Sequence, residues 1–583
     1  MHLLFCLQLG LLDLLFRGPA FYLTHPRAIG YLCASAGLLH LLAALRPRRR
    51  MRALASLLIG VSVAAQVAFY CYYHAPFDDQ AALAARLAWA DIRPLMIKGS
   101  PILLAISLAV GSIEYRWMAK APLRPRRKLA AMAVVIGLLL GGPLRDGTTE
   151  IRTASAATTL VRPIPPRPPT EHRMLPPLVS RRARVPSILY VITESVRADD
   201  HCKGTGDPCP TSPELHALLP SRVPLTEMRA GSAYTAISLS ILLTGRTQIG
   251  SREAINAAPD LFDLARAVRS DEGPVTVHYW SSQSPSFFER TDAPRAVDSF
   301  TSADTYLGHV TDDIGEAVTG GLDRRVADEC RSRLPSLAPP YVVITHFSGT
   351  HAPYFFDESA PTFTPWGRVI TWSGMEDLHR AYKNAIVEQD HSVSACVRAF
   401  IDAQHGRPYV IVFTSDHGEA FGEHWAIHHG QSFYDEQIHV PAFIAAGGGA
   451  LAPEEEAALQ GAGGAFVTHF DLLPTVLDAL GVLDHFALKS DVAALPGRSL
   501  LRPAPPAVAP IPVSNCSAMW QCPLNAWGML AGERKLTAQV WDGGWRCFSG
   551  RGGEHEIPLG DCADLVSASR AWFTTKPNGV ANE

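Results

Sequence analysis

The uneven placement of apolar residues constrains this 583-residue chain more than any other feature. Five long hydrophobic runs lie in residues 1–144: 2–16, 28–45, 53–73, 96–117 and 129–144. A helix that crosses a bilayer needs about 20 mostly apolar residues, with about 17 as a lower bound. The middle three runs satisfy this. The first and last are shorter, and the first carries Asp13. The first run lacks a basic start and a small-x-small cleavage site, so it reads as a span rather than a signal sequence. The expectation is a helical bundle of about five spans over residues 1–144.

Basic residues orient that bundle. Arg46, Arg48, Arg49, Arg50 and Arg52 lie between the second and third runs. Arg116, Lys120, Arg124, Arg126, Arg127 and Lys128 lie between the fourth and fifth. Basic loops stay in the cytoplasm. The N-terminus is then cytoplasmic, and everything beyond residue 144 is outside. The formal charge of −3 gives no support for a nucleic-acid partner.

Residues 145–186 read as a linker, rich in proline and arginine over RPIPPRPPTEHRMLPPLVSRRARVP. Proline removes backbone donors and favours extended chain. Beyond it, continuous apolar runs at 187–193, 275–279, 341–345, 409–414 and 441–446 read as buried strands of a parallel sheet. Helical patterns at 261–268 and 380–403 fall between them. This alternation predicts an α/β domain with a mostly parallel sheet flanked by helices, whose ligands bind beyond the carboxyl ends of the strands. Eight cysteines in the exported part suggest disulfides, with 202/209, 516/522 and 547/562 as close pairs and the connectivity left open. None has zinc-ligand spacing.

Polar residues follow several strands at once. Glu194 ends the first, in VITESVRADD. Asp416 and His417 end YVIVFTSDHGE, offering one oxygen and one nitrogen to a cation, with Gly418 allowing a tight backbone path. Two short loops hold five histidines: His346 and His351, then His424, His428 and His429. Of these, His351 and His429 are the functional candidates, and the others read as structural. Thr235 opens an apolar helical pattern in AGSAYTAISLSILLTGR. A helix N-terminus welcomes an anion. The plainer reading makes Thr235 a helix cap and Glu194 a surface or capping carboxylate.

One chemistry unites these residues. Glu194, Asp416, His417 and Thr235 would hold a metal ion, which acidifies the threonine hydroxyl. Thr235 would then attack phosphorus and form a phospho-threonine, and a second acceptor would release the group.

Taken together, ITES, the Thr235 segment, THAP, SDHGE, HVPAFI, THFDLLPTVLDALG and GRSLL, in that order over residues 187–501, resemble the alkaline phosphatase/sulfatase superfamily. Several spans ahead of an exported domain resemble the lipid A phosphoethanolamine transferases, which use a threonine nucleophile. The resemblance implies a sulfatase-like catalytic domain over 187–583, facing the periplasm from a bacterial inner membrane. It implies a metal site of Glu194, Thr235, Asp416 and His417, holding Zn²⁺ or another divalent ion. His351 and His429 match positions for substrate or a second metal. The implied partners are a phospholipid donor and a lipid A or glycan acceptor. Counting back from Arg246, Thr235 stands where a sulfatase signature has Cys or Ser. Ile237 and Leu239 replace that signature's proline and arginine. Threonine cannot become the formylglycine aldehyde of sulfatases, which disfavours sulfate-ester hydrolysis. A phosphodiesterase using water as acceptor, and a membrane-anchored binding protein without catalysis, are the alternative readings. Residues 502–583, with five tryptophans and four cysteines, read as a disulfide-supported subregion.

Overall fold

The structure is a computed structural model. It describes residues 49–73, 89–120, 156–161, 174–202, 209–249, 257–283, 297–307, 322–368, 372–430, 432–505, 509–515, 526–539, 544–550 and 553–573, with single positions at 77, 82 and 255. The chain divides into two compact units. One comprises 1–166, 538–545 and 575–583, and the other comprises 167–537 and 546–574.

In the first unit, the third apolar run lies in α1 (Arg49–Tyr73) and the fourth in α2 (Trp89–Lys120). The first, second and fifth runs lie outside the described residues. Among the described residues one helix is long and apolar enough to cross a membrane, Arg49–Phe69. α1 and α2 pack closely where side chains vanish. A Cβ added at Gly60 would sit 2.2 Å from the Ser107 carbonyl oxygen, and one at Gly111 would sit 3.1 Å from that of Ser56. Leu54, Leu58, Ile102, Leu104 and Leu108 are exposed, while Ser56, Ser62, Gln66, Ser107 and Glu114 are buried. Small residues at the contact and apolar residues outside are the pattern of helices packed in lipid.

The second unit is an α/β domain around a seven-stranded mixed sheet. Its strands are β1 (Ser187–Thr193), β2 (Val223–Pro224), β3 (Thr276–Ser281), β4 (Ser299–Thr301), β5 (Tyr341–Phe347), β6 (Tyr409–Ser415) and β7 (Ala442–Gly447). Their spatial order is β2-β7-β6-β1-β5-β3-β4. Neighbours from β6 through β1, β5 and β3 to β4 run parallel. β7 runs antiparallel to both β6 and β2. The expectation of a parallel strand at 441–446 is corrected here. An apolar run reports burial on both faces and carries no information about direction.

Alternation within each strand feeds two cores. Ile188, Tyr190, Ile192, Val342 and Ile344 join the side that includes Ile237, Leu242 and Leu473. These last come from α3 (Thr235–Thr244) and a later helix over Leu472–Ala479. Leu189, Val191, Val343, Ile411 and Phe413 join the other side. There they meet Val326 of α4 (Asp323–Arg333) and Val393, Val397 and Phe400 of α5 (Met375–Gln404). Each such buried side chain contributes roughly 1.5–3 kcal/mol. A disulfide, Cys330–Cys396, joins α4 to α5, a pairing that close sequence spacing did not suggest. Cys202–Cys209 and Cys547–Cys562 pair as expected, and Cys516 and Cys522 lie outside the described residues.

The residues read as the end of a linker include the strand Leu178–Val179, which pairs with Val268–Arg269. Beyond the large sheet lies a five-stranded one: β8 (Ile511–Ser514), β9 (Ala526–Ala531), β10 (Arg534–Gln539), β11 (Arg546–Ser549) and β12 (His555–Ile557), in sequential order.

Candidate active site

The site forms where the central parallel strands end. Glu194 follows β1, and its N–H donates to the Phe347 carbonyl at 2.9 Å. Asp416 follows β6, and its N–H donates to the Thr193 carbonyl at 2.9 Å. These bonds continue the ladder one residue past the sheet, so both carboxylates are set by strand geometry. Gly418 lets the chain turn there, because a Cβ would meet the Glu436 carbonyl oxygen at 2.3 Å.

Thr235 is the first residue of α3. Tyr234 is the cap, and it makes no side-chain cap hydrogen bond. The Thr235 hydroxyl is therefore not a cap. It donates to Glu194 Oε1 at 3.0 Å and lies 3.0 Å from His417 Nε2. His417 Nε2 is also 3.4 Å from Glu194 Oε1 and 3.3 Å from Asp416 Oδ2. The other ring nitrogen, Nδ1, donates to the Gly418 carbonyl at 2.9 Å, which aims Nε2 at the carboxylates.

These separations suit a cation. With bonds of about 2.0–2.1 Å, ligands of a tetrahedral zinc stand about 3.3 Å apart. Asp416 Oδ2 is buried without a hydrogen-bond partner, as a metal ligand would be in a structure without ions. Glu194, Asp416 and His417 form one group that could hold a metal ion, and Glu194, His351 and His429 form another. Burial and the Glu194 charge push Asp416 up to about 6. Burial opposes a charge on His417, but Asp416 and Glu194 outweigh it and raise the ring to about 9. Two buried carboxylates thus favour a positive charge between them, which a cation or a proton on His417 provides.

The two candidate histidines face this cluster. The His429 ring is 4.2 Å from that of His417 and 5.7 Å from that of His351. His429 Nδ1 lies 3.2 Å from Glu419 Oε1, and His351 Nδ1 lies 2.8 Å from the Ala352 carbonyl oxygen. Both partners only accept, so in each ring Nδ1 carries the proton of that contact. Burial, then the charge of His417, lowers His429 to about 4.

All six residues read from the sequence therefore meet at one place. Several neighbours were missed. Glu419 orients His429, and its place in SDHGE was the available signal. His346, read as structural, lies 3.3 Å from Glu194 Oε2, and Gln283 donates to the same oxygen at 3.3 Å. Ser195 follows Glu194 with φ of 57° and donates its N–H to Asp416 Oδ1 at 2.9 Å. His424 lies apart, stacked on Tyr434 and paired with Glu436.

The sulfatase family model matches residues 186–482, half of the chain, and the chain belongs to that family. Within it, the chain is similar to phosphoethanolamine transferase EptA of Salmonella typhimurium, 28% identical over 111 residues, or 18% of this chain and 20% of that protein. It is also similar to the low-salt glycan biosynthesis sulfotransferase Agl7 of Haloferax volcanii, 30% identical over 156 residues, or 26% of this chain and 35% of that protein. The matched stretches thus span between a fifth and about a third of these relatives. Among solved structures, the integral membrane protein lipooligosaccharide phosphoethanolamine transferase A from Neisseria meningitidis is 16% identical with a TM-score of 0.56, covering 85% of this chain and 98% of that one. At that identity the likeness is one of fold.

Proposed function

We propose that this protein is a membrane-anchored, metal-dependent transferase that moves a phosphoethanolamine-type group from a phospholipid to a lipid A or glycan acceptor. The observation that carries the reading is the Thr235 hydroxyl, 3.0 Å from both Glu194 Oε1 and His417 Nε2 at the start of a helix. The similarity to phosphoethanolamine transferases supports the group transferred.

Zn²⁺ held by Glu194, Thr235, Asp416 and His417 would supply Lewis acidity at the threonine oxygen. Thr235 gives its hydroxyl proton to Glu194, to which it already donates, and Oγ1 bonds to phosphorus as the diacylglycerol oxygen leaves and takes up a proton, so the headgroup phosphate stays on threonine. The first N–H groups of α3 face the transferring oxygens, as helix N-termini do for phosphates. His429, held neutral by burial and by the charge of His417, takes the proton of the incoming acceptor hydroxyl as that oxygen bonds to phosphorus and the bond to Thr235 Oγ1 breaks, while His351 beside it orients the acceptor. Alternatively, that pair with Glu194 holds a second cation.

The apolar outside of α1 and α2 supports anchoring in the inner membrane. The basic loops support a cytoplasmic N-terminus, about five spans over 1–144, a linker over 145–186 and a periplasmic domain over 187–583. The experiment is intact-mass analysis of the full-length protein in vesicles of phosphatidylethanolamine. A phosphoethanolamine increment on Thr235, absent from Thr235→Ala, is expected. Release of that increment to lipid A marks a transferase, and release to water alone marks a hydrolase. No increment, with full turnover by Thr235→Ala, would sink the mechanism.

A further inference from the structure

The family match ends at residue 482, and the sheet β8–β12 lies beyond it. One side chain from that region reaches both loops that carry the site. Asn515, next after β8, is 5% exposed. Its Oδ1 accepts from the Ala233 N–H at 3.0 Å and from Ser232 Oγ at 3.2 Å. Its Nδ2 donates to the Ser432 carbonyl at 3.4 Å. Ala233 stands two residues before Thr235, and Ser432 stands three after His429. The amide orientation follows from its partners, since the reverse would set a donor against the Ala233 N–H.

The link matters because α3 has no side-chain cap at its N-terminus. Tyr234, at the cap position, makes no side-chain cap bond, and its N–H donates to Ser232 Oγ at 3.2 Å. Ser232 in turn donates to Asn515. The backbone that leads into Thr235 is thus fixed by a residue 280 positions later (515 − 235). Phe433, next to Ser432, is fully buried in the same core as Ile511 and Val513 of β8. The second sheet therefore holds the His429 loop by packing as well as by this amide.

We infer that Asn515 is a positioning residue, which sets the nucleophile helix and the His429 loop at a fixed separation. It touches no reacting atom and acts through Ser232, Ala233 and Ser432. The inference rests on the reading of Thr235 and His429 as working groups. Misplacement by about 1 Å costs on the order of 100-fold in rate.

The test uses the full-length protein in lipid nanodiscs. Asn515→Asp keeps both acceptor bonds and removes the donor to Ser432, replacing it with a repulsive oxygen. Ser232→Ala removes the relay and keeps Asn515. Turnover is followed with phosphatidylethanolamine and, separately, with bis(4-nitrophenyl) phosphate. The expected result for Asn515→Asp is a lower thermal midpoint from the buried carboxylate, and, per folded molecule, a fall in kcat of roughly 10- to 100-fold with KM within about twofold and bound metal unchanged. Ser232→Ala moves the same way by less. Unchanged kcat in both variants, or a loss that only tracks the folded fraction, overturns the inference. Hydrogen exchange gives a reading independent of activity. Residues 232–236 and 428–432 should loosen together in Asn515→Asp, and loosening of one loop alone overturns the bridge. A wild type inert toward the lipid defeats the functional reading, while the diester and the exchange data still decide the role of Asn515.

Discussion

The α1–α2 pair and the central sheet bury opposite things. The sheet buries Leu189, Val191, Val343 and Phe413, and gathers its polar side chains at one end, where Glu194, Asp416 and His417 stand fully buried. The helix pair turns Leu54, Leu58 and Leu104 outward, and buries Ser56, Gln66 and Glu114. The difference fits the proposal that water surrounds the sheet and lipid the helix pair. Water drives apolar groups inward, whereas lipid leaves close packing and interhelical hydrogen bonds to hold helices together. In the sheet, then, buried polarity marks chemistry. In the helix pair it marks packing.

The largest expected effect tests the polar end of the sheet. Thr235→Ala should lower turnover by roughly 10³-fold or more with little change in unfolding midpoint. Retained turnover would mean that the buried cluster is structural, as in the helices.

Next comes a buried charge held by the second sheet. Lys535 Nζ lies 2.9 Å from Asp435 Oδ1 and 2.8 Å from Glu554 Oε1. Asp435 begins the turn after Tyr434, close in sequence to the His429 loop. Lys535→Ala leaves Glu554 buried without its cation, while Asp435 keeps Arg229 at 2.8 Å, and should cost about 3 kcal/mol in urea unfolding. A loss under about 1 kcal/mol would show the pair to be open to water.

A smaller effect concerns pH. His201 is partly buried beside Phe413, ring centroids 5.2 Å apart. Burial lowers it to about 4, with the charges of Arg222 and His216 adding to the shift. A depressed histidine pKa means that the unfolded chain binds the proton more tightly. Its share of stability is present above the unfolded value near 6.5 and is lost as pH falls toward 4. The full loss is about 3 kcal/mol or less, by linkage. His201→Phe should flatten the stability profile over that window, and an unchanged slope would assign it to other groups.

The smallest effect tests the helix pair. Gly60→Leu drives a side chain into the Ser107 carbonyl and should destabilise the pair by about 1–3 kcal/mol in detergent titration. Turnover of a soluble diester should stay within about twofold, because the site is built from residues of the other unit. No change in the titration would mean that the helices do not depend on that contact.

Much of the site was legible because an open α/β sheet places its ligands just past its strands. Glu194 after SILYVIT and Asp416-His417 after YVIVFTS needed only that rule. Thr235 was legible as a helix start, although its hydroxyl could equally have been a cap. The ring orientations of His351 and His429 depend on Ala352 and Glu419, and no pattern in the sequence ranks those contacts. The direction of β7 was illegible because burial on both faces does not depend on strand polarity. The Cys330–Cys396 pair was hidden because α4 and α5 meet only by folding over β5.

By itself, the sequence determined an apolar N-terminal part, an α/β domain with buried strands, and the identity of six residues that meet at its strand ends. Local periodicity and strand termini are written within a few residues, so they can be read there. Tertiary structure alone decided that Thr235 faces Glu194 and His417 rather than its own helix, and that Asn515 ties its loop to that of His429. Those contacts join residues 41 to 283 positions apart. Their geometry exists only once the two cores have packed and set the loops in place.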